Sequence, residues 1–411
     1  MRVTQTLNQL QFIASLNTLE SNLAQTQNQI SSNQSFTTPS QNPVAAGAVD
    51  GYNQALAQAT QYDTNANSAQ TALGTEDNAM SQVQTALQSL RDLALQANSG
   101  ALTAPDRSSI ATQAAQIQAT LVSLANTQDG NGEYIFGGYT TQTQPFSLSA
   151  AGATYAGDLG QRQVPISAGQ SVAIGDSGAA VFNQIPTGNG TFTAAAASGN
   201  TGSTVLGATT VSNAAAYDGK PYSIKFALTT GPGGVVTTTY NILDSTGAVV
   251  TPGAPVPGAA YTSGQAISYD GGQVTLTGQP ANGDSFNVAP STNQSVFTTV
   301  QNLVTSLQSV GSSSSSNAQL NNSIAGSLNN IDQALNQVSN VRSGIGGRLN
   351  SITTQLSVSS NQQIQLKTSI ASLQGLDYAG AITKLDLQQT ALSASMQAYT
   401  LTQGLSLFKY I

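Results

Sequence analysis

From Val3 to Ile30 apolar residues recur at helical spacing: Val3, Leu7, Leu10, then Ile13, Leu16, Leu23 and Ile30. Steps of three and four keep such residues on one side of an α-helix. The register slips between Leu10 and Ile13, as a stutter would make it. A polar loop, SSNQSFTTPSQNP, follows, in which Asn42 suits an N-cap and Pro43 the first helical position. The next helix carries Ala48, Tyr52, Ala55, Ala59, Tyr62, Ala66, Ala69 and Leu73. Small residues along such a seam let helices approach closely. A third helix is expected over Met80, Val83, Leu87, Leu90, Ala94 and Ala97, ending near Asn98-Ser99-Gly100. A fourth begins at Thr103, with Asp106 placed for a capping box, and its stripe is Ile110, Ala114, Ile117, Leu121 and Leu124.

The texture then changes. The segment GEYIFGGYTTQTQPF (132–146) reads as a β-hairpin or paired strands. From about 147 to 290 Gly and Pro rise, helical stripes vanish and alternating runs appear: YSIKFAL, TTYNIL, AISYDGGQVTLTG and DSFNV. Asp270-Gly271 and Asn282-Gly283 supply turn chemistry. A β-sandwich-like domain inserted between helical halves is the expectation. Helical spacing resumes at Phe297, Val300, Val304 and Leu307, and a serine tract, Ser312–Ser316, reads as a loop. The strongest stripe follows, from Ile324 through Leu328, Ile331, Leu335, Val338, Ile345, Leu349, Ile352 and Leu356 to Leu373. Its sustained threes and fours predict a long coiled-coil helix, with Gly344, Gly346 and Gly347 as its weak point. A last helix carries Ile382, Leu385, Leu392, Met396, Tyr399 and Leu401. The expected fold class is therefore α+β and multidomain, with long coiled-coil helices from both termini and an inserted β-rich domain. The two helical halves should fold back side by side.

Composition changes this picture in one respect. Of the 411 residues only 7% are charged, and the net charge is −7. Surfaces built from Gln, Asn, Ser and Thr repel one another weakly, which suits close packing of subunits; a lineage habit of low charge would look the same. The scattered basic residues argue against nucleic-acid binding. The N-terminus lacks the apolar core and cleavage site of a secretory signal, and no apolar run is long enough to span a bilayer, so no membrane insertion is expected.

Candidate chemistry is sparse. Without His or Cys there is no Ser-His-Asp or Cys-His arrangement, no thiolate metal site and no disulfide. Glu occurs only as Glu20, Glu76 and Glu133, and Asp158, Asp176, Asp218, Asp244, Asp270 and Asp284 sit beside Gly or turns, where Asp is usually a turn residue. No phosphate loop is present. The expectation is a non-enzyme with no catalytic, metal or cofactor residues.

Several segments resemble a known family. ISSNQSFTTPSQNPVAAG is similar to the loop after the first helix of flagellin-like proteins, with Gln41-Asn42 where that family carries an acidic pair. DGNGEYIFGGYTTQTQPF, NVRSGIGGRLNSI and the closing LQQTALSASMQAYTLTQGLSLFKYI resemble the hook-associated protein 3 family, as do YAGDLGQRQVPISAG and TGQPANGDSFNV. The resemblance implies a structural adaptor of the bacterial flagellum at the junction of hook and filament. Residues 1–40 plus 374–411 would form an inner terminal coiled-coil domain. Residues 41–146 plus 295–373 would form a helical bundle with a β-hairpin, and 147–294 a β-rich outer domain. The implied partners are the chain itself in a ring, hook-associated protein 1, flagellin, an export chaperone and the type III export apparatus. The implied place is the extracellular flagellum, reached without a cleaved signal.

The expected subunit-interaction residues are Val3, Leu7, Leu10, Ile13, Leu16 and Leu23 on the first helix. On the last they are Ile382, Leu385, Leu392, Met396, Tyr399, Leu401, Leu405, Leu407 and Phe408. These exceed what one seam can cover, so the ends are expected to order on assembly. Flagellin itself, another hook-associated protein and, from a different class, a secreted adhesin stay open as alternatives.

Overall fold

A computed structural model describes residues 2–99, 102–149, 152–250, 258–309, 311 and 313–407. Six α-helices frame it: α1 (Arg2–Ser32), α2 (Pro43–Ala97), α3 (Ala104–Ala125), α4 (Val296–Gln308), α5 (Ser314–Gln374) and α6 (Tyr378–Leu407). The chain divides into two compact units, one of residues 1–65 with 354–411 and one of residues 66–353.

Local chemistry sets the helix starts. Asn42 Oδ1 accepts the Ala45 N–H at 3.1 Å ahead of Pro43, and Thr103 and Asp106 close a reciprocal capping box at α3. Where two helices were expected, at 48–73 and 80–97, the structure has one. The interruption was an apolar gap only: the buried positions run Ala66, Ala69, Leu73, Glu76, Met80, Val83, Leu87, Leu90, Ala94 and Ala97 without a break in step. A carboxyl holds the seam position that a count of apolar residues leaves blank. The serine tract likewise joins a helix from Ser314 onward, and α5 runs through Gly344, Gly346 and Gly347, where an added Cβ would meet open space.

In the unit of residues 66–353, α3 packs on α4, and Gln118 Nε2 donates to the Phe297 carbonyl at 3.1 Å. Beside them lies an aromatic cluster. Phe146 is 5.1 Å from Phe297, 5.4 Å from Phe182 and 4.9 Å from Tyr155, and Phe136 meets Phe182 edge-on at 5.3 Å. This explains the segment 132–146. It is a series of tight turns rather than a hairpin, because Phe136 must be sunk into that cluster. Gly138 (φ +72°) turns the chain there, where a side chain would strike Asp158.

Strand pairing starts at Phe146, with β1 (Phe146–Ser149) antiparallel to β2 (Gly152–Tyr155) and β3 (Gln163–Ser167) to β4 (Gln170–Ala173). A π-helical turn, Ala179–Asn183, then delivers Phe182, and β5 (Ile185–Pro186) follows. The main β-region holds β6 (Phe192–Ala196), β7 (Val205–Val211), β8 (Tyr222–Thr230), β9 (Val236–Leu243), β10 (Ala259–Ala260), β11 (Ala266–Tyr269), β12 (Gly272–Thr277) and β13 (Ser285–Pro290). A short β14 (Asn293–Gln294) pairs back on β5. The strands make a five-stranded antiparallel sheet, β10-β9-β8-β13-β6, and a three-stranded one, β11-β12-β7. Both feed one core of Phe192, Leu206, Ile224, Phe226, Ile267, Val274, Leu276 and Phe286, the sandwich-like packing expected. Asp270 (φ +22°) and Gly271 (φ +82°) form the two-residue turn between β11 and β12.

Between 319 and 337, α5 fastens the β-region with amides. Gln319 donates to the carbonyls of Ser198 and Asn200, Asn322 Oδ1 accepts the Leu206 N–H, Asn330 Oδ1 the Gly188 N–H, and Gln337 donates to Ala180. These satisfy backbone groups that strands would otherwise leave open. Arginines tie α2 to α5: Arg342 Nε to Asp77 at 2.9 Å and Arg91 Nε to Asp332 at 2.6 Å. The acids of the β-region mostly serve turns. Asp284 accepts three backbone N–H groups, and those of Tyr139 and Gly160 hold the Asp158 carboxyl below the usual range.

Candidate subunit-interaction surface

The other unit is built on α1 and α6. Two contacts set their pairing: Phe12 and Tyr399 stack at 5.1 Å with planes 12° apart, and Gln34 bridges Gly375 after α1 ends. The helices therefore run antiparallel. Their inward positions follow one alternation, Phe12, Leu16, Leu19, Leu23, Thr26 and Ile30 on α1, and Ala381, Leu385, Gln388, Leu392, Ser395 and Tyr399 on α6. Antiparallel register brings Leu16 to the level of Ser395, Leu19 to Leu392, Leu23 to Gln388, Thr26 to Leu385 and Ile30 to Ala381. At most levels an apolar side chain thus meets a small or polar one. The result is a shallow seam in which only Thr26 and Ala381 are buried. Gln388 Oε1 is buried there without a hydrogen-bond partner, which weakens the seam further. A small cluster at the α1–α2 loop, Phe36, Ala45, Ala46 and Val49 with Ile370, completes the unit, anchored by the Ser35 N–H on the Gln374 carbonyl at 2.8 Å.

Of the residues expected at the interaction surface, Leu16, Leu23, Leu385, Leu392 and Tyr399 lie half-buried in this seam. Leu7, Leu10, Ile13, Ile382, Met396 and Leu401 lie on outward faces, Leu7 and Leu10 being 60% and 62% exposed and Leu401 68%. The Val3, Leu405 and Leu407 side chains and the whole of Phe408 lie outside the described residues. Sequence reasoning missed Phe12 and Leu19, and the polar seam positions Thr26, Gln388 and Ser395. Stepping back by threes and fours from Leu23 would have reached Leu19 and Phe12. Leu387, 67% exposed on α6, was also missed. These outward residues leave large apolar side chains exposed on the α1–α6 pair. Among the described residues no group of three or more acidic side chains is placed to hold a metal, and no helix is long and apolar enough to cross a membrane.

Paired terminal helices around an inserted β-region define a flagellin-like protein. The bacterial flagellin N-terminal helical region matches residues 3–141, and the bacterial flagellin C-terminal helical region residues 328–411. The structure of flagellar hook-associated protein 3 from Legionella pneumophila is similar at 32% identity, covering 79% of this chain and 98% of that one, with a TM-score of 0.73. Xanthomonas campestris FlgL is similar at 31% identity over 78% of this chain and 99% of its own, with a TM-score of 0.70. Flagellar hook-associated protein 3 of Escherichia coli is 27% identical over 93% of this chain and 90% of its own length. The chain belongs to the flagellar hook-associated protein 3 family. It is a structural protein of the bacterial flagellum with flagellar partners.

Proposed function

We propose that this chain is the adaptor ring between hook and filament, contacting hook-associated protein 1 on one side and flagellin on the other, and that it catalyses no reaction. The observation that carries this reading is the likeness to hook-associated protein 3 along nearly the whole of that protein. An adaptor is required there because hook and filament lattices deform differently, and one subunit must satisfy both.

Residues 1–40 with 374–411 would form the inner layer, 41–146 with 295–373 the next, and 147–294 the outer face. Apolar residues turned outward from the α1–α6 seam support an inner layer completed by neighbouring copies. The subunit would leave the cell through the flagellar type III apparatus with an export chaperone, and function outside it. The absence of His and Cys from the sequence supports a structural rather than catalytic role. Deleting the gene and viewing cells by electron microscopy tests the proposal. Hooks without filaments, with flagellin released into the medium, are expected; filaments of normal number and length would refute it.

A further inference from the structure

The buried face of α2 carries one carboxyl, Glu76, in step with Leu73 and Met80. Its residue is 1% exposed. Oε1 accepts the backbone N–H of Asp176 at 2.9 Å, and Oε2 is buried with no hydrogen-bond partner. The Asp176 side chain is itself bound from two sides, by the Arg348 guanidinium of α5 and by Gln161 Nε2 at 2.7 Å. Arg348 also donates from Nη1 to the Ala173 carbonyl at 3.3 Å, and Gln170 Nε2 donates to Ser351 Oγ of α5 at 3.1 Å. Residues 170–176, the β4 strand and the link after it, are thus fastened to α5 by two side chains and to α2 by Glu76.

Charge counting gives this arrangement its sensitivity. Two carboxyls share one guanidinium in a site where the Arg348 and Asp176 side chains are only 19% and 14% exposed. A second negative charge there would be poorly solvated and left without a cation of its own, which the desolvation penalty disfavours. The two arginines tied to its immediate neighbours are already engaged: Asp77, the chain neighbour of Glu76, holds Arg342, and Arg162, beside Gln161, holds Glu133. We propose that Glu76, Asp176 and Arg348 form a proton-operated latch, closed while Glu76 carries a proton and loosened when it loses it, which fastens the 170–176 segment to α2 and α5.

Burial, and then the Asp176 charge, push the Glu76 carboxyl up to about 8, against the opposing pull of Arg348. The sign follows from linkage. In the opened segment Glu76 meets water and titrates near its ordinary value of 4.5. Between that value and about 8 the closed state holds one more proton than the open one. Closure therefore weakens as pH rises through this window, and is level above it.

Amide hydrogen exchange on the full chain tests the latch, with rates corrected for intrinsic base catalysis. The protection of residues 170–176 is expected to fall by up to about tenfold per pH unit between pH 5.5 and 8 and to level off beyond, one proton being linked to opening. Amides in 110–125 serve as the control for global unfolding and should not follow. In Glu76→Gln, a neutral isostere, the slope should vanish and protection should persist at pH 9. A wild-type profile without slope, or a Glu76→Gln profile that keeps it, overturns the proposal. Should that variant fail to fold, titration of the carboxyl of Glu76 by isotope-edited NMR in the wild-type chain decides: a midpoint near 8 upholds the latch and one near 4.5 ends it.

Discussion

Two stripes in this molecule obey the same alternation of threes and fours and end in different states. Along α2 from Ala66 to Ala97 every seam residue is buried, most of them completely. Along α1 and α6 the seam is half-exposed almost throughout. The residues differ less than the company they keep. The α2 stripe lies in a unit that also holds α3, α4, the aromatic cluster and most of α5, so its flanks are covered. The α1–α6 pair has one partner helix per seam. Every ion pair among the described residues also falls within 66–353, so among those residues no ion pair is present on the terminal pair to replace missing packing. Periodicity therefore identifies a face that needs covering, while the number of neighbours decides whether it is covered within one chain.

The largest expected effect tests that difference directly. Phe297 is fully buried against Phe146 and Phe182. Phe297→Ala should cost about 3–5 kcal/mol, the usual range for removing a packed aromatic side chain. Phe12→Ala, which loses the stack on Tyr399, should cost the isolated chain only about 1 kcal/mol, since that ring is only partly buried. Urea unfolding followed by circular dichroism gives both values. Equal losses would mean that the terminal seam is as complete as the inner one.

The same contrast explains what could be read from the sequence. The fold class, the α3 capping box, the Asp270-Gly271 turn and strands β8, β9, β11, β12 and β13 were all legible, because each rests on local chemistry or an alternation of two. The single α2 helix was not, because Glu76 sits where an apolar residue was sought. Nor was the turn structure of 132–146: burial of Phe136 depends on Phe146 and Phe182, the latter delivered by a turn 46 residues further along the chain. At the terminal pair the stripe gave the helices and about half of the seam. It could not separate Leu16, which faces α6, from Leu10, which faces outward, since both are leucines at acceptable spacing. Thr26, Gln388 and Ser395 carry no hydrophobic signal at all.

Gln388 offers an intermediate effect that sharpens the comparison. Its Oε1 is buried at the level of Leu23 without a partner. Gln388→Leu removes that orphan acceptor and adds apolar contact, and should strengthen the free terminal pair by about 1 kcal/mol. Amide exchange over 378–400 in the monomer should slow about fivefold, and the α2 amides should be unaffected. No change would indicate that the seam is not limited by its polar positions.

The smallest effect on the folded chain belongs to Leu387, and it carries the most about assembly. Its side chain is 67% exposed on α6, away from the seam partners Leu385 and Gln388. Leu387→Ser should change stability by no more than about 0.5 kcal/mol, as surface substitutions do. If neighbouring copies cover this face, the same change removes about 1–2 kcal/mol at every contact it makes in a ring. Cells carrying Leu387→Ser in place of the wild-type gene should then export normal amounts of the subunit and grow fewer filaments. A seam variant such as Phe12→Ala cannot make this distinction, because it alters both the pair and the face it presents. Wild-type filament counts with Leu387→Ser would place the assembly contact elsewhere on the pair, toward Leu7 and Leu10 of α1.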